Sequence, residues 1–484
     1  MSTLWNAYEA AAATGGALCA RGDLGDNDEV LPEESWIASG LSIDTRTIRK
    51  GDIFVALKAA RDGHDFVRNA FKAGASAALV SRAPEDTPDG APLLLVQDTQ
   101  KGLEALAAAA RDRCFGKLIG VTGSAGKTST KEMLRTMLMG QGKVHAAEKS
   151  FNNHWGVPLT LAALQPDTDY GVFEIGMNHA GEITPLTKLV RPHVAIVTTV
   201  AAAHLEFFDS VAAIAEAKAE IILGLRKGGT AVLPIDNEHF AILAKQVSDI
   251  NQYGREIKTI TFGRAEGADL RMLDYTATTE GRGTIAAEIF GERKSFTIGL
   301  AGEHQAMNAL AALAAVRAVG GDLGLAMEAL AGHRPVGGRG KPVDLNLDGK
   351  SVTLLDESYN ANPASMAAAI HVLASWKGAQ KIAVLGEMRE LGDNGPTLHA
   401  GLGPLLEKAG VSRVYAAGTL MKPMFDALPE AMKGKWAQTA AALVDNVASD
   451  AEDGAVIMAK GSNASRVSAF VEALTERAGG AHQE

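Results

Sequence analysis

Short apolar runs bounded by Gly, Pro and charged residues alternate along this chain with longer segments whose apolar positions recur at helical spacing. The first pattern predicts buried strands, the second amphipathic helices. Over 1–115 it predicts strands at 52–57 (DIFVAL) and 77–80, helices at 66–73 and 102–113, and a Pro/Asp/Gly-rich loop at 82–92. From 117 it predicts a strand at 118–121, a Gly turn at 123–126 and a helix at 127–139. Strands at 170–175 and 194–200 and helices at 211–225 and 304–319 follow. Gly-punctuated pieces at 258–300 predict a hairpin addition. GHRPVGGRGKP, at 332–342, reads as a linker between domains. Beyond it, strands at 352–356, 381–385, 411–416 and 455–458 alternate with helices.

This alternation predicts an α/β fold. At about 150 residues per domain, a chain of 484 residues should hold three domains. The expected units are a smaller N-terminal α/β domain (1–115), a central parallel-sheet domain with a P-loop (116–335) and a Rossmann-like C-terminal domain (336–484).

Composition narrows the function. The formal net charge is −10 and no Lys/Arg block stands out, which argues against nucleic acid as a partner. The two cysteines lack metal-ligand spacing and suit a reducing cytosol. No basic, apolar leader opens the chain, and its apolar windows fall short of the roughly 20 residues that span a bilayer. A cytoplasmic monomer without membrane insertion is expected.

The strongest local signal is GVTGSAGKTS at 120–129, where a strand enters a Gly-containing turn and then a helix. Gly123, Ser124, Ala125 and Gly126 can bring backbone N–H groups to phosphate oxygens, and the helix N-terminus favours negative charge. Lys127 can reach the terminal phosphates of ATP, and the Thr128 hydroxyl, followed by Ser129, can ligate Mg²⁺. The usual motif begins with a Gly where Val121 stands, so the match is to a shorter TGxxGKT form. Downstream, Glu174 ends an apolar strand, His204 follows another, and Lys218 lies on the next helix. Beyond strand ends they could join Thr128 in a metal site. Singly, each is more readily a solvated acid, a structural imidazole or a surface lysine, and only their joint placement points to a metal.

Further strings carry a resemblance. They are SIDTR (42–46), DGHDF (62–66), FNNHWGVPLTL (151–161), EIGMNHAGEI (174–183), AHLEFF (203–208) and EAKAEI (216–221). GEHQAMNALAA (302–312), GRG (338–340), DESYNANPASM (356–366), GEMRELG (386–392) and KGS (460–462) continue the series. With them the chain resembles the Mur ligases of peptidoglycan synthesis, along nearly its whole length. The YNANPxSM and GxNHxGEI strings point to the branch that adds a dipeptide.

The resemblance implies ATP-dependent ligation through an acyl phosphate, joining UDP-N-acetylmuramoyl-tripeptide and D-alanyl-D-alanine. It implies a UDP-sugar-peptide domain, a central ATP domain, and a C-terminal domain that takes the dipeptide and closes on ATP. It assigns Lys127 and Thr128 to phosphate and Mg²⁺, Glu174 and His204 to the metal site, and Lys218 to a carbamylated lysine. Asn153 and Asn308 are assigned to the nucleotide, Asn308 at the adenine. Arg339 and Asp356 would meet the nucleotide on closure. Ser42, Asp44, Thr45 and Arg46 are assigned to the UDP end; Tyr359, Asn360, Asn362 and Ser365 to the dipeptide loop. The chain departs from the family pattern at 58–62 (KAARD), at Glu357 and at His154–Trp155. SIDTR alone is also a capped turn, YNANP alone an Asx turn opening a helix, and GEMRELG alone a solvated loop. A nucleotide-dependent switch, and a sibling or folylpolyglutamate-type ligase, are the competing readings.

Overall fold

The computed structural model describes residues 3–20, 36–278 and 281–479. Three large sheets organise them, beside a two-stranded antiparallel pair of Trp5–Asn6 and Ile37–Ala38. The first has five strands in the order Ala17–Ala20, Pro92–Leu95, Ala77–Val80, Asp52–Val55 and Gly40–Ser42; only the first pair is antiparallel. The second has nine, in the order Glu292–Ile298, Gly283–Ile289, Leu270–Ala277, Lys258–Gly263, Thr230–Pro234, Val194–Val197, Lys117–Thr122, Tyr170–Glu174 and Val144–Ala146. The third has six, in the order Lys341–Leu347, Lys350–Glu357, Ala455–Lys460, Lys381–Leu385, Arg413–Ala417 and Lys433–Ala437. The α/β class and the three-domain plan expected from the sequence hold. No helix among the described residues is long and apolar enough to cross a membrane.

The central sheet positions the site. Lys117–Thr122 lies between Tyr170–Glu174 and Val194–Val197, and all three run parallel. Glu174 pairs with Val121 and Val197 with Thr122, so the three strands end level with one another. The chain leaves the middle strand toward both sides of the sheet, which opens a crevice beyond the strand ends.

Several expected elements change. The run at 194–200 is strand only to Val197, because the following groups turn to the phosphate loop. Thr198 Oγ1 donates to Thr122 O and Ala125 O, and Ser124 N donates to Thr199 O. The helix expected over 211–225 is α-helical over Val211–Ala219 and tightens to a 3₁₀ turn at Glu220–Gly224. There the Glu220 carboxylate accepts from Gly181 N and Thr184 N. Within 258–300, Lys258–Gly263 joins the parallel sheet, and only Gly283–Ile289 and Glu292–Ile298 extend it antiparallel. The linker is shorter than expected, since helix Leu323–Gly332 and strand Lys341–Leu347 take its ends.

One continuous apolar cluster joins the first sheet, helix Thr99–Arg113 and one face of the central sheet. Polar groups reinforce that joint. Trp5 Nε1 donates to Ala162 O, and the buried Arg111 guanidinium donates to Val190 O, Cys114 O and Arg191 O. The third domain keeps its own two clusters, one on each face of its sheet.

Candidate functional site

A cavity of about 430 Å³ opens beyond the ends of the central strands, closed on its far side by the third domain. Ser124–Ser129 form its floor. Gly123 and Gly126 adopt φ of 152° and 83°. A Cβ at Gly126 would stand 2.5 Å from Asn308 Oδ1, so the loop passes there only as glycine. Lys127 opens helix Lys127–Met139 and donates from Nζ to Gly123 O at 2.7 Å. Burial pushes the Lys127 ammonium below its ordinary value, the Glu174 carboxylate opposes that shift, and Arg339 adds to it.

Thr128 Oγ1 donates to Glu174 Oε2 at 2.6 Å and lies 3.0 Å from Ser150 Oγ. Asn152 Nδ2 donates to Glu174 Oε1 at 2.7 Å. A hydroxyl and a carboxylate at the foot of a phosphate loop are the hard donors Mg²⁺ takes when waters and phosphates complete its shell. The described residues hold no cluster of three or more His, Cys, Asp or Glu suited to a metal. Of the four residues expected at the metal site, Thr128 and Glu174 line the cavity and His204 and Lys218 do not. His204 sits in the left-handed region (φ 58°), and its Nδ1 lies 2.5 Å from Glu390 Oε2 of the third domain. The imidazole in turn holds the Glu390 carboxyl below its usual range.

Lys218 does not line the cavity either. Its side chain is buried, and no hydrogen bond or ion pair to a described residue satisfies the ammonium. Burial, with the nearby Lys127 charge, drives its amine well below the ordinary lysine value.

The third domain supplies the opposite wall. Arg339 Nη2 donates to Ser150 Oγ at 3.0 Å, and its guanidinium lies 4.1 Å from the centre of the Tyr359 ring. Asp356 stays behind the wall and builds it, accepting from Gly338 N, Ser358 N and Ser358 Oγ. Asn362 and Ser365 form a capping box on helix Pro363–Ser375, with Pro363 at its start. Tyr359, Asn360, Asn362 and Ser365 all line the cavity.

Two groups of expected contacts lie elsewhere. Asn153 Oδ1 accepts from Trp155 N and Gly156 N in the turn that precedes helix Gly156–Ala162, outside the cavity lining. Ser42, Asp44, Thr45 and Arg46 form a turn on the first domain. Ser42 Oγ donates to Asp44 O, and Arg46 pairs with Asp44, which holds that carboxyl at about 2. The Arg46 side chain is 85% exposed.

Sequence reasoning assigned no role to Ser150, Asn152, Asp236, Asn237, His304, Glu357 or Lys460, which also line the cavity, nor to Glu390. Asn152, His304, Glu357, Lys460 and Glu390 stood inside motifs already singled out. Ser150, Asp236 and Asn237 left no such mark.

Comparison with known proteins agrees along the chain. Family models for the Mur ligase catalytic domain, the Mur ligase middle domain and the Mur ligase glutamate ligase domain match residues 38–111, 121–316 and 338–463. The UDP-N-acetylmuramoyl-tripeptide–D-alanyl-D-alanine ligase of Rickettsia prowazekii is 32% identical over 437 residues, 89% of this chain and 94% of that protein. A crystal structure of MurF from Acinetobacter baumannii superposes with a TM-score of 0.82 at 28% identity, covering 98% of this chain and 99% of that one. MurF ligase from Thermotoga maritima in complex with ADP does so with a TM-score of 0.74 at 28% identity, covering 91% and 98%.

Proposed function

This chain belongs to the Mur ligase family, and on that premise we propose that it joins D-alanyl-D-alanine to UDP-N-acetylmuramoyl-tripeptide at the expense of ATP. The observation that carries the reading is the cavity shared by the phosphate loop and the Tyr359–Ser365 loop of the third domain. It brings the place where a triphosphate ends to the wall assigned to the incoming amine.

A carboxylate is a poor acyl donor, and phosphorylation supplies its leaving group. The protein's share is positioning and charge neutralisation. The backbone of 123–126 cradles the phosphates and Lys127 meets the γ-phosphate, with Ser129 beside it. Asn308, buried next to Gly126, faces the nucleotide. Arg339 leaves Ser150 for the phosphates, oriented by the loop that Asp356 ties. Thr128 and Glu174 would hold Mg²⁺, which would neutralise charge on the phosphate oxygens. Tyr359, Asn360, Asn362 and Ser365 receive the dipeptide. A closed third domain keeps water from the acyl phosphate.

Residues 1–115 form the UDP-sugar-peptide domain, with Ser42, Asp44, Thr45 and Arg46 at the uridine diphosphate. Residues 116–335 form the ATP domain, and 336–484 the domain that binds the dipeptide and closes. Lys218 is carbamylated: its neutral amine adds to CO₂ and releases a proton, giving an anion that, with His204, would help to hold a second Mg²⁺. The nucleotide substrates of this reaction belong to the cytoplasm.

The test is release of ADP and phosphate by pure protein with Mg²⁺. Release should require both substrates together. Single D-alanine or folate should not replace them. Equal ADP formation with and without the pair defeats the proposal.

A further inference from the structure

We propose that Lys131 is a positioning residue, which clamps segment 147–152 to the phosphate-loop helix and thereby sets Ser150 and Asn152 in the cavity. Lys131 lies one turn beyond Lys127 and is fully buried. Its Nζ donates to Ala147 O at 2.5 Å and to Lys149 O at 3.3 Å, and it pairs with Glu132 Oε1 at 2.8 Å. A buried ammonium is costly unless its donors are used. Here all three are, and two go to the backbone of one segment.

That segment needs a clamp. Between Ala147 and Asn152 the chain forms neither helix nor strand. On its outer side Glu148 meets Arg49 of the first domain, but both side chains are largely exposed and such a pair contributes little. Yet the segment carries two cavity groups. Ser150 Oγ touches Thr128 and Arg339, and Asn152 Nδ2 holds Glu174. Lys131 itself does not line the cavity. It acts through Ser150 and Asn152, and so fixes where Thr128, Glu174 and Arg339 stand relative to one another.

This inference rests on the ligase reading, and a double-mutant cycle tests it. Lys131→Met should lower kcat by about 10- to 100-fold, the scale of a small misplacement in a site. KM for the UDP-sugar peptide should stay within about twofold. Adding Ser150→Ala to Lys131→Met should lower kcat by no more than about twofold further, because both changes act on one segment. Full kcat in Lys131→Met, or losses that multiply, overturns the inference. Should Lys131→Met fail to fold, Lys131→Met with Glu132→Gln leaves no carboxylate uncompensated and serves the same cycle. If the wild-type chain does not ligate, the ligase reading falls alone. The same cycle read by calorimetry on magnesium-ADP affinity then decides the role of Lys131, with shared losses supporting it and multiplied losses or none refuting it.

Discussion

Asn362 Nδ2 donates to the Ser124 carbonyl at 3.0 Å, tying the first turn of a third-domain helix to the phosphate loop 238 residues away. The same side chain caps its own helix through Oδ1, which accepts from Ser365 N at 2.9 Å. One amide therefore serves a local and a long-range task with its two ends. Asn362→Asp separates them. Aspartate caps a helix as well as asparagine but cannot donate to a carbonyl. Thermal stability should stay within about 0.5 kcal/mol of wild type, while kcat/KM falls about tenfold, the worth of one interdomain hydrogen bond replaced by repulsion. Unchanged kcat/KM would leave the bond without a part in closure.

Lys127 is held in the loop by its bond to Gly123 O, and it lines the cavity. Lys127→Met keeps the bulk and removes the charge. We expect kcat to fall about a thousandfold with the fold intact, as for loss of a preorganised charge at a transition state. Circular dichroism and steady-state ADP release check this together. A loss under about tenfold would assign the phosphate charge to another group.

Lys218 is buried without a counter-ion among the described residues. If Lys218 carries the proposed carbamate at a metal site, Lys218→Ala should lower turnover about 100-fold or more, since metal-site charge is worth several kcal/mol. Short-chain carboxylic acids should restore part of it by filling the place of the carbamate. Full activity without added acid would reject the modification.

His333 gives a pH signature away from the cavity. It is 4% exposed and sits 2.8 Å from Thr136 Oγ1, and burial pulls its imidazole from 6.5 to about 4. Between those values the unfolded chain binds more protons, so stability falls as pH drops through 6.5 and levels off below about 4. The contribution lost between pH 7.5 and pH 5 is about 2 kcal/mol. Denaturation midpoints across that range should fall less steeply in His333→Gln, by this one group's share, since His193 is also pulled to about 4. An identical pH profile would place the titration elsewhere.

The phosphate loop was legible because it is local: strand, glycines, Lys127 and Thr128 lie within one short stretch. The cap at Asn362 was legible for the same reason. The two adjacent asparagines show the limit. The sequence pointed to Asn153, which bonds the backbone of its own turn and does not line the cavity, while Asn152 lines it and reaches Glu174. Which of the pair faces inward depends on the path of segment 147–152, set by Lys131 from another element. His204 and Glu390 show it at longer range. They stand 186 residues apart, each in a left-handed backbone conformation, and neither position marks the other as its partner.

The shared apolar cluster of the first two domains bears on how the molecule can move. Sliding two surfaces that own one dry interior would expose hydrocarbon to water, so those parts travel as a single jaw. The third domain meets them at the cavity through amides, a guanidinium and an imidazole–carboxylate pair, groups that water can replace at small cost when the faces separate. On the closure proposed above, the opening stroke belongs to the C-terminal jaw, swinging on residues 333–340, and beside those polar groups it parts the Leu300–Ala301 stretch from Val372 and Trp376.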